Sequence, residues 1–228
     1  MPYFPAFLNL TGTSCLVVGA GEVGRRKIER ILHCAPSELL IVDPHLEESI
    51  ARELSGHDAV RIERRRFQAA DVEGRFLVIA STEDPALNQE ISRLCRERNI
   101  LCNIVDQPDL CSFIVPALFS QGELQLAIST GGASPALARK VRQELSRSFG
   151  PEYASWVRLL GRLRPLVLGL ELGLQENKEI FTGLAGDDIL QALRRKDGNR
   201  LRALLQERLP RAIHPSIGPL LNELDPSL

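Results

Sequence analysis

The stretch Ser14-Cys15-Leu16-Val17-Val18-Gly19-Ala20-Gly21-Glu22-Val23-Gly24 sets an apolar run of strand length against a G-x-G-x-x-G turn. The residues that follow, to about His33, have the apolar spacing of a helix. Strand, glycine turn and helix in that order make the first half of a βαβ unit. The glycines permit a tight turn and bring backbone N–H groups close to a pyrophosphate, whose charge is favoured at a helix N-terminus. A second strand, residues 38–42, ends at Asp43, nineteen positions beyond Gly24. A carboxylate there accepts from the adenosine ribose hydroxyls and opposes a 2′-phosphate, so NAD is expected over NADP, with Arg25 and Arg26 nearby to temper the preference. The expected cofactor-binding residues are Gly19, Gly21, Glu22, Val23, Gly24, Asp43 and Pro44, joined by Ser81 and Thr82, which follow a later strand at the edge where a nicotinamide ribose would lie.

That later part keeps the same rhythm. Apolar runs at 60–62, 76–80 and 100–105 alternate with helical stretches such as 85–98, which predicts an α/β fold with a parallel, doubly wound sheet. After Asp106 the pattern changes. Residues 112–119 and 123–129 read as two extended segments joined by Ser120-Gln121-Gly122, a hairpin or a dimer-forming ribbon. Ser134-Pro135 then opens a helix to about Phe149, with serine as N-cap and proline at the first helical position. Gly150-Pro151 separates it from helical segments at 152–172, 187–195 and 199–209, which suit a small helical domain. Beyond Leu209, Pro210, Pro215, Pro219 and Pro226 predict an extended or loose tail. The expected division is therefore 1–111, 112–149, 150–209 and a proline-rich tail at 210–228.

Composition narrows the function classes. Of the 228 residues, 44% are hydrophobic and 25% charged, ordinary values for a folded globular chain. A formal net charge of −1 argues against nucleic acid or an acidic membrane as partner, leaving anionic ligands to local basic clusters. The run Arg64-Arg65-Arg66 is one such cluster, read as a solvated strand end in preference to a binding role. Five cysteines without a C-x-x-C pair suit buried thiols in a reducing compartment, and four scattered histidines outline no metal site. The opening Met-Pro-Tyr-Phe-Pro lacks a signal-peptide pattern and no apolar run is long enough to cross a bilayer, so a cytoplasmic location is expected.

Two dehydrogenase arrangements fail on the residues available. The tyrosines are Tyr3 and Tyr153, and position 157, four beyond the second, is Val157, so a Tyr-x-x-x-Lys pair is missing. His214, the one histidine well beyond the nucleotide half, lies in the proline-rich tail. What remains is Asp106, which follows the 100–105 strand in Asn103-Ile104-Val105-Asp106. Ligands of open α/β sheets bind outside the carboxyl ends of strands, so this carboxylate is either a group at the cofactor cleft or a turn residue before Gln107-Pro108. Ser129-Thr130-Gly131-Gly132-Ala133-Ser134-Pro135 is a second glycine-rich turn entering a helix, with Arg139, Lys140 and Arg142 close behind. It reads as a site for a carboxylate-rich ligand or as a well-capped helix with a basic face.

Taken in order, residues 16–27, Asn103-Ile104-Val105-Asp106, Ser112-Phe113-Ile114-Val115-Pro116 and residues 129–139 resemble the precorrin-2 dehydrogenase family, which includes the N-terminal module of sirohaem synthase. The likeness runs from about Phe4 to Leu209. It implies an NAD-binding Rossmann domain, a central dimerisation segment, a helical C-terminal domain, a homodimer, and precorrin-2 as substrate. It also implies that Asp106 is the principal catalytic residue for dehydrogenation and, in bifunctional members, for iron insertion. Asn103, Thr130, Gly131, Gly132, Ser134 and Arg139 are the substrate-binding residues it points to, with Thr130 standing where some members carry serine. With no methyltransferase domain following, the chain is expected to match the stand-alone enzyme. The alternative from another class is a regulatory Rossmann module that senses NAD(H), which would share the first motif and Asp43 but would not need Asp106 or the second glycine turn.

Overall fold

The computed structural model describes residues 3–224 and divides into two compact units, Met1–Val115 and Pro116–Leu228. In the first, the strands are β1 (Ser14–Val18), β2 (Glu38–Val42), β3 (Val60–Glu63), β4 (Leu77–Ala80) and β5 (Leu101–Ile104), and the helices are α1 (Glu22–Leu32), α2 (Glu48–Leu54) and α3 (Pro85–Glu97). All the strands pair in parallel in the order β3-β2-β1-β4-β5. The expectation of a parallel, doubly wound sheet holds. Strands buried on both faces read as near-continuous apolar runs, because successive side chains enter opposite cores. Cys15 and Val17 join Ile28 and Ile31 of α1, whereas Leu16 and Val18 join Ile91, Leu94 and Cys95 of α3. The chain runs outward from β1 to β3, then returns to place β4 on the other side of β1. That reversal opens a crevice at the carboxyl ends of β1 and β4.

The opposite end of the sheet is closed by charge. Arg75, almost wholly buried, donates to Glu38 at 2.7 Å and to the Ser14 hydroxyl, which itself donates to Glu38 at 2.9 Å. Burial pushes the Glu38 carboxyl up, but the Ser14 and Arg75 hydrogen bonds outweigh it and hold it below the ordinary range. After β3, Arg65 grips Asp71 through two bonds of 2.7 and 2.9 Å and fixes the loop leading to β4.

In the second unit, β6 (Ala117–Gln121) and β7 (Leu124–Ile128) form an antiparallel hairpin, one of the two readings of the extended segments. Its turn uses Gly122 at φ +60°, where a Cβ would lie 2.8 Å from the Ala154 Cβ, so only glycine lets the turn lie against the following helices. These are α4 (Pro135–Ser148), α5 (Glu152–Leu168), α6 (Leu174–Leu184), α7 (Asp187–Arg194) and α8 (Gly198–Arg208). Phe119, Phe149, Tyr153 and Trp156 form a chain of tilted rings with centroids 6.4, 4.8 and 5.8 Å apart, tying the hairpin to α4 and α5. The segment expected as one helix over 152–172 instead stops at Leu168, and α6 follows as a separate helix.

The tail departs from expectation. A 3-10 turn at Arg211–Ile213 leads into α9 (His214–Leu224), and Ile213, Ile217, Leu221 and Leu224 are buried in the core formed by α5, α7 and α8. Pro215 occupies the first turn, where its missing N–H costs nothing. Pro219 lies inside the helix and costs about 3 kcal/mol. Burying four aliphatic side chains, each worth about 1.5–3 kcal/mol, outweighs it. Pro226 lies outside the described residues. The thiols also differ from expectation: Cys15, Cys95 and Cys102 are buried, but Cys34 is exposed after the last turn of α1 and Cys111 is half-buried in a loop.

Ile217 is fully buried in α9. Ile217→Ala should lower the stability of the helical unit by about 2–5 kcal/mol. The measurement is urea unfolding followed by the fluorescence of Trp156, the chain's single tryptophan, which packs on the same core. An unchanged midpoint would mean that α9 contributes no packing.

Candidate nucleotide site

Gly19 closes β1 at φ +87°, a left-handed conformation, and a Cβ there would stand 2.5 Å from the Ser81 carbonyl oxygen. A Cβ on Gly24, the first inward position of α1, would stand 2.1 Å from the Gly19 carbonyl oxygen. Side chains at 19 and 24 are thus excluded by the protein's own backbone. Gly21 is different. A Cβ on it would meet nothing within 4 Å, so its glycine leaves room for something the chain does not itself supply. Gly21 is also the N-cap of α1 and provides no side-chain acceptor, leaving first-turn N–H groups to be satisfied by water or a ligand. This is the geometry of a phosphate site at a helix N-terminus.

The turn opens onto a cleft of about 1080 Å³ at the carboxyl ends of β1, β2 and β4. Of the expected cofactor residues, Gly19, Gly21, Glu22, Asp43, Pro44, Ser81 and Thr82 line it. Val23 and Gly24 do not; Gly24 acts by letting α1 approach the turn. Asp43 accepts from the Ala20 N–H through one carboxylate oxygen and from the His45 N–H through the other, both at 2.7 Å. Each oxygen keeps a lone pair for a further donor, which fits ribose hydroxyls. Arg25 pairs with Glu29 at 3.2 Å and Glu53 at 2.8 Å, and Arg26 with Glu22 at 2.9 Å, so carboxylates already engage both guanidinium groups. The residues present fit a dinucleotide.

The arginine run divides. Arg64 pairs with Glu48 at 2.5 Å and Arg65 with Asp71, as a solvated strand end would, but Arg66 lines the cleft beside Phe67. Sequence reading favoured the solvated end for Arg66 and missed Phe67; their place just after the strand next to β2 was the available signal. Thr82 is fixed by Asn88, donating to its side-chain oxygen at 2.7 Å and accepting at its own carbonyl at 3.1 Å.

Asp106 follows β5, two residues past Ile104, exposed and in the left-handed region at φ +59°. Its neighbourhood is stapled by Cys111, whose sulfur accepts from the Ile104 N–H at 3.2 Å and lies 3.2 and 3.3 Å from the carbonyl oxygens of Ile104 and Gln107. Asn103 is buried, and its amide nitrogen donates to the Phe113 carbonyl at 3.1 Å and toward Cys111 at 3.6 Å. Its nitrogen thus serves the same loop. Neither residue lines the cleft described above.

In the second unit the turn at 129–134 is largely self-satisfied. Thr130 accepts from the Ser134 N–H at 3.0 Å, Ser129 from the Gly131 N–H at 3.0 Å, and Ser134 from the Leu137 N–H at 3.2 Å. Gly131 and Gly132 take φ of +63° and +88°. Arg139 is exposed, and among the described residues its side chain has no ion pair.

Residues 6–117 match the family described as "Putative NAD(P)-binding", and residues 121–148 match "Sirohaem biosynthesis protein central". The chain is 42% identical over 172 residues to a siroheme synthase of Thioalkalivibrio sulfidiphilus, covering 75% of this chain and 33% of that protein. It is 36% identical over 213 residues to a siroheme synthase of Pseudomonas fluorescens, covering 92% of this chain and 45% of that protein. The chain thus spans less than half the length of these curated relatives. The solved structure of SirC, precorrin-2 dehydrogenase, superposes with a TM-score of 0.76 at 27% identity, covering 90% of this chain and 98% of that one. An NAD(P)-binding unit followed by the sirohaem-biosynthesis central segment, in a fold shared along nearly the whole of SirC, means that the chain belongs to the precorrin-2 dehydrogenase and sirohaem synthase family.

Proposed function

We propose that the chain is an NAD-dependent dehydrogenase that oxidises precorrin-2 to sirohydrochlorin. The observation that carries this reading is the likeness along 98% of the length of a precorrin-2 dehydrogenase, together with an open glycine turn and Asp43 at the cleft. The substrate loses a hydride and a proton. Bound NAD supplies the hydride acceptor. The chain's own residues do the rest. The turn at Gly19–Gly21 and the first N–H groups of α1 hold the pyrophosphate, and Asp43 accepts from the adenosine ribose. Ser81 and Thr82 border the nicotinamide half, Thr82 held rigid by Asn88. Asp106, exposed at the carboxyl edge of the sheet, takes the proton or orients the substrate by its charge. Asn103, the turn at Thr130, Gly131, Gly132 and Ser134, and Arg139 serve the carboxylate-rich substrate, Arg139 as counter-charge.

The same reading includes a homodimer. A two-stranded ribbon is marginal alone, and among the described residues each strand of the β6–β7 hairpin leaves one edge unpaired. Such an edge is a ready surface for a second copy. Free thiols throughout suit a reducing, cytoplasmic setting.

These assignments give separable outcomes. NAD should support turnover well and NADP poorly, and Asp43→Ala should narrow that gap while weakening NAD binding, since the carboxylate also ties down the Ala20 N–H. A wild-type preference for NADP would remove Asp43 from the ribose. Asp106→Asn should cut single-turnover oxidation of precorrin-2 by roughly 10²–10⁴, with NAD affinity by calorimetry unchanged. Near-normal turnover would take Asp106 out of the mechanism, and no turnover by the wild type would favour a sensor of NAD(H). Light scattering at micromolar concentration should return the dimer mass; a monomer would sink that assignment.

A further inference from the structure

The loop after β3 puts Arg66 and Phe67 on the wall of the nucleotide cleft, together with Pro44, Leu46 and Ile50 from the segment after β2. Its backbone is held at several points. The Asp43 N–H donates to the Glu63 carbonyl at 3.1 Å and the Arg65 N–H donates to the same carbonyl at 3.0 Å, which ties the start of the loop to the end of β2. Arg65 then reaches past its neighbour. Its guanidinium donates to the Arg66 carbonyl at 3.1 Å and to the Asp71 carboxylate at 2.7 and 2.9 Å, while the Gln68 N–H donates to Asp71 at 2.8 Å. One buried carboxylate thus grips the chain on both sides of residues 66 and 67. Phe67 is half-buried against the core that α3 covers.

The Arg66 side chain is left out of this network. Arg64 is paired with Glu48 and Arg65 with Asp71, and Arg25, the other arginine on the cleft wall, with Glu29 and Glu53. Among the described residues the exposed Arg66 guanidinium has no ion pair, hydrogen bond or ring contact. A solvated arginine is ordinary, but it needs no clamped backbone on a cleft wall beneath it. Its place in the sheet sets which part of a dinucleotide it meets. From the glycine turn the strands run outward as β1, β2 and β3, with neighbours about 4.8 Å apart. The turn after β1 suits the pyrophosphate and Asp43 after β2 suits the adenosine ribose, so the base falls next, at the loop after β3. Arg66 starts two strand spacings, roughly 10 Å, from the phosphate turn. What lies within its reach is a flat, uncharged ring system among apolar side chains. A guanidinium is planar and weakly hydrated, and it stacks on aromatic faces.

We propose that Arg66 is a cofactor-binding residue whose guanidinium closes over the adenine ring, holding it against the apolar wall formed by Phe67 and the segment after β2. This rests on the reading of the cleft as an NAD site with Asp43 at the adenosine ribose. The clamp on Asp71 has a purpose in this arrangement. Because the loop backbone is already ordered, closing over the base costs Arg66 side-chain freedom alone. The contact is made by the plane of the group more than by its charge, so it serves any ligand that carries the adenosine half of the cofactor.

The test is calorimetry on the full chain with NAD, ADP-ribose and NADP, at low and high salt, alongside thermal melting. Arg66→Met should weaken NAD and ADP-ribose by the same factor, about three- to thirtyfold. The melting temperature should stay put, since the side chain holds nothing in the fold. Arg66→Trp, a plane without charge, should recover much of the affinity, and Arg66→Lys, a charge without a plane, should recover little. The loss in Arg66→Met should be similar at both salt concentrations. Unchanged NAD affinity in Arg66→Met would overturn the proposal. Full rescue by Arg66→Lys with a loss that shrinks in salt would mean a phosphate contact, and a greater loss for NADP than for NAD would mean a 2′-phosphate contact; either result also overturns it. Asp43→Ala separates the two readings. If the wild type binds no NAD, or Asp43→Ala leaves its affinity untouched, the reading of the cleft falls first; if Asp43→Ala weakens NAD and Arg66→Met does not, Arg66 alone is wrong.

Discussion

A Cβ at position 24 would come within 2.1 Å of the Gly19 carbonyl oxygen, and the rest of the nucleotide unit depends on that contact being possible. With hydrogen in place of a side chain, α1 lies flat on the turn that launches it. Its N-terminus then points into the crevice between β1 and β4, with open space beside Gly21 for a diphosphate. The same approach brings Ser81 under the turn and sets the reach of every inward residue farther along α1. Substituting Gly24 would not remove a ligand contact, since it does not line the cleft. It would lift the helix that aims the others.

Electrostatics in the cleft follow from which charges are already answered. Glu22 is met by Arg26, and Arg25 is shared between Glu29 and Glu53. Asp43 is answered by backbone N–H groups, so its oxygens keep spare lone pairs where it lines the cleft. The chain need not be basic to hold an anion, because the first N–H groups of α1 stand open beside Gly21 at the cleft.

Much of this was legible in the sequence. The apolar runs at 14–18 and 38–42 sit on either side of a glycine turn that requires its glycines for backbone reasons. The switch to a hairpin after 112 was marked by two extended segments around Gly122. The tail was misread because proline was given more weight than periodicity. Ile213, Ile217, Leu221 and Leu224 recur at helical spacing, and the energy of burying them exceeds the cost of one interior proline. Asn103 and Thr130 are read as reaching for substrate, and the structure adds that the Asn103 amide nitrogen and the Thr130 hydroxyl also hold their own loops. A polar side chain beside a turn can serve both purposes.

Asp106 shows where local rules yield to something else. A left-handed backbone is uncommon outside glycine, and although aspartate tolerates it better than most residues, it persists only where the surroundings fix it. Here they do: the Val105 N–H is bonded to the Ala80 carbonyl, the Gln107 N–H to the Ile104 carbonyl, and Cys111 closes the loop from the far side. Glycine at 106 would relieve the strain, and a loop needing only to turn would be better served by it. The carboxylate is retained at some energetic cost, exposed at the sheet's carboxyl edge. A residue that only had to turn the chain would not need that side chain.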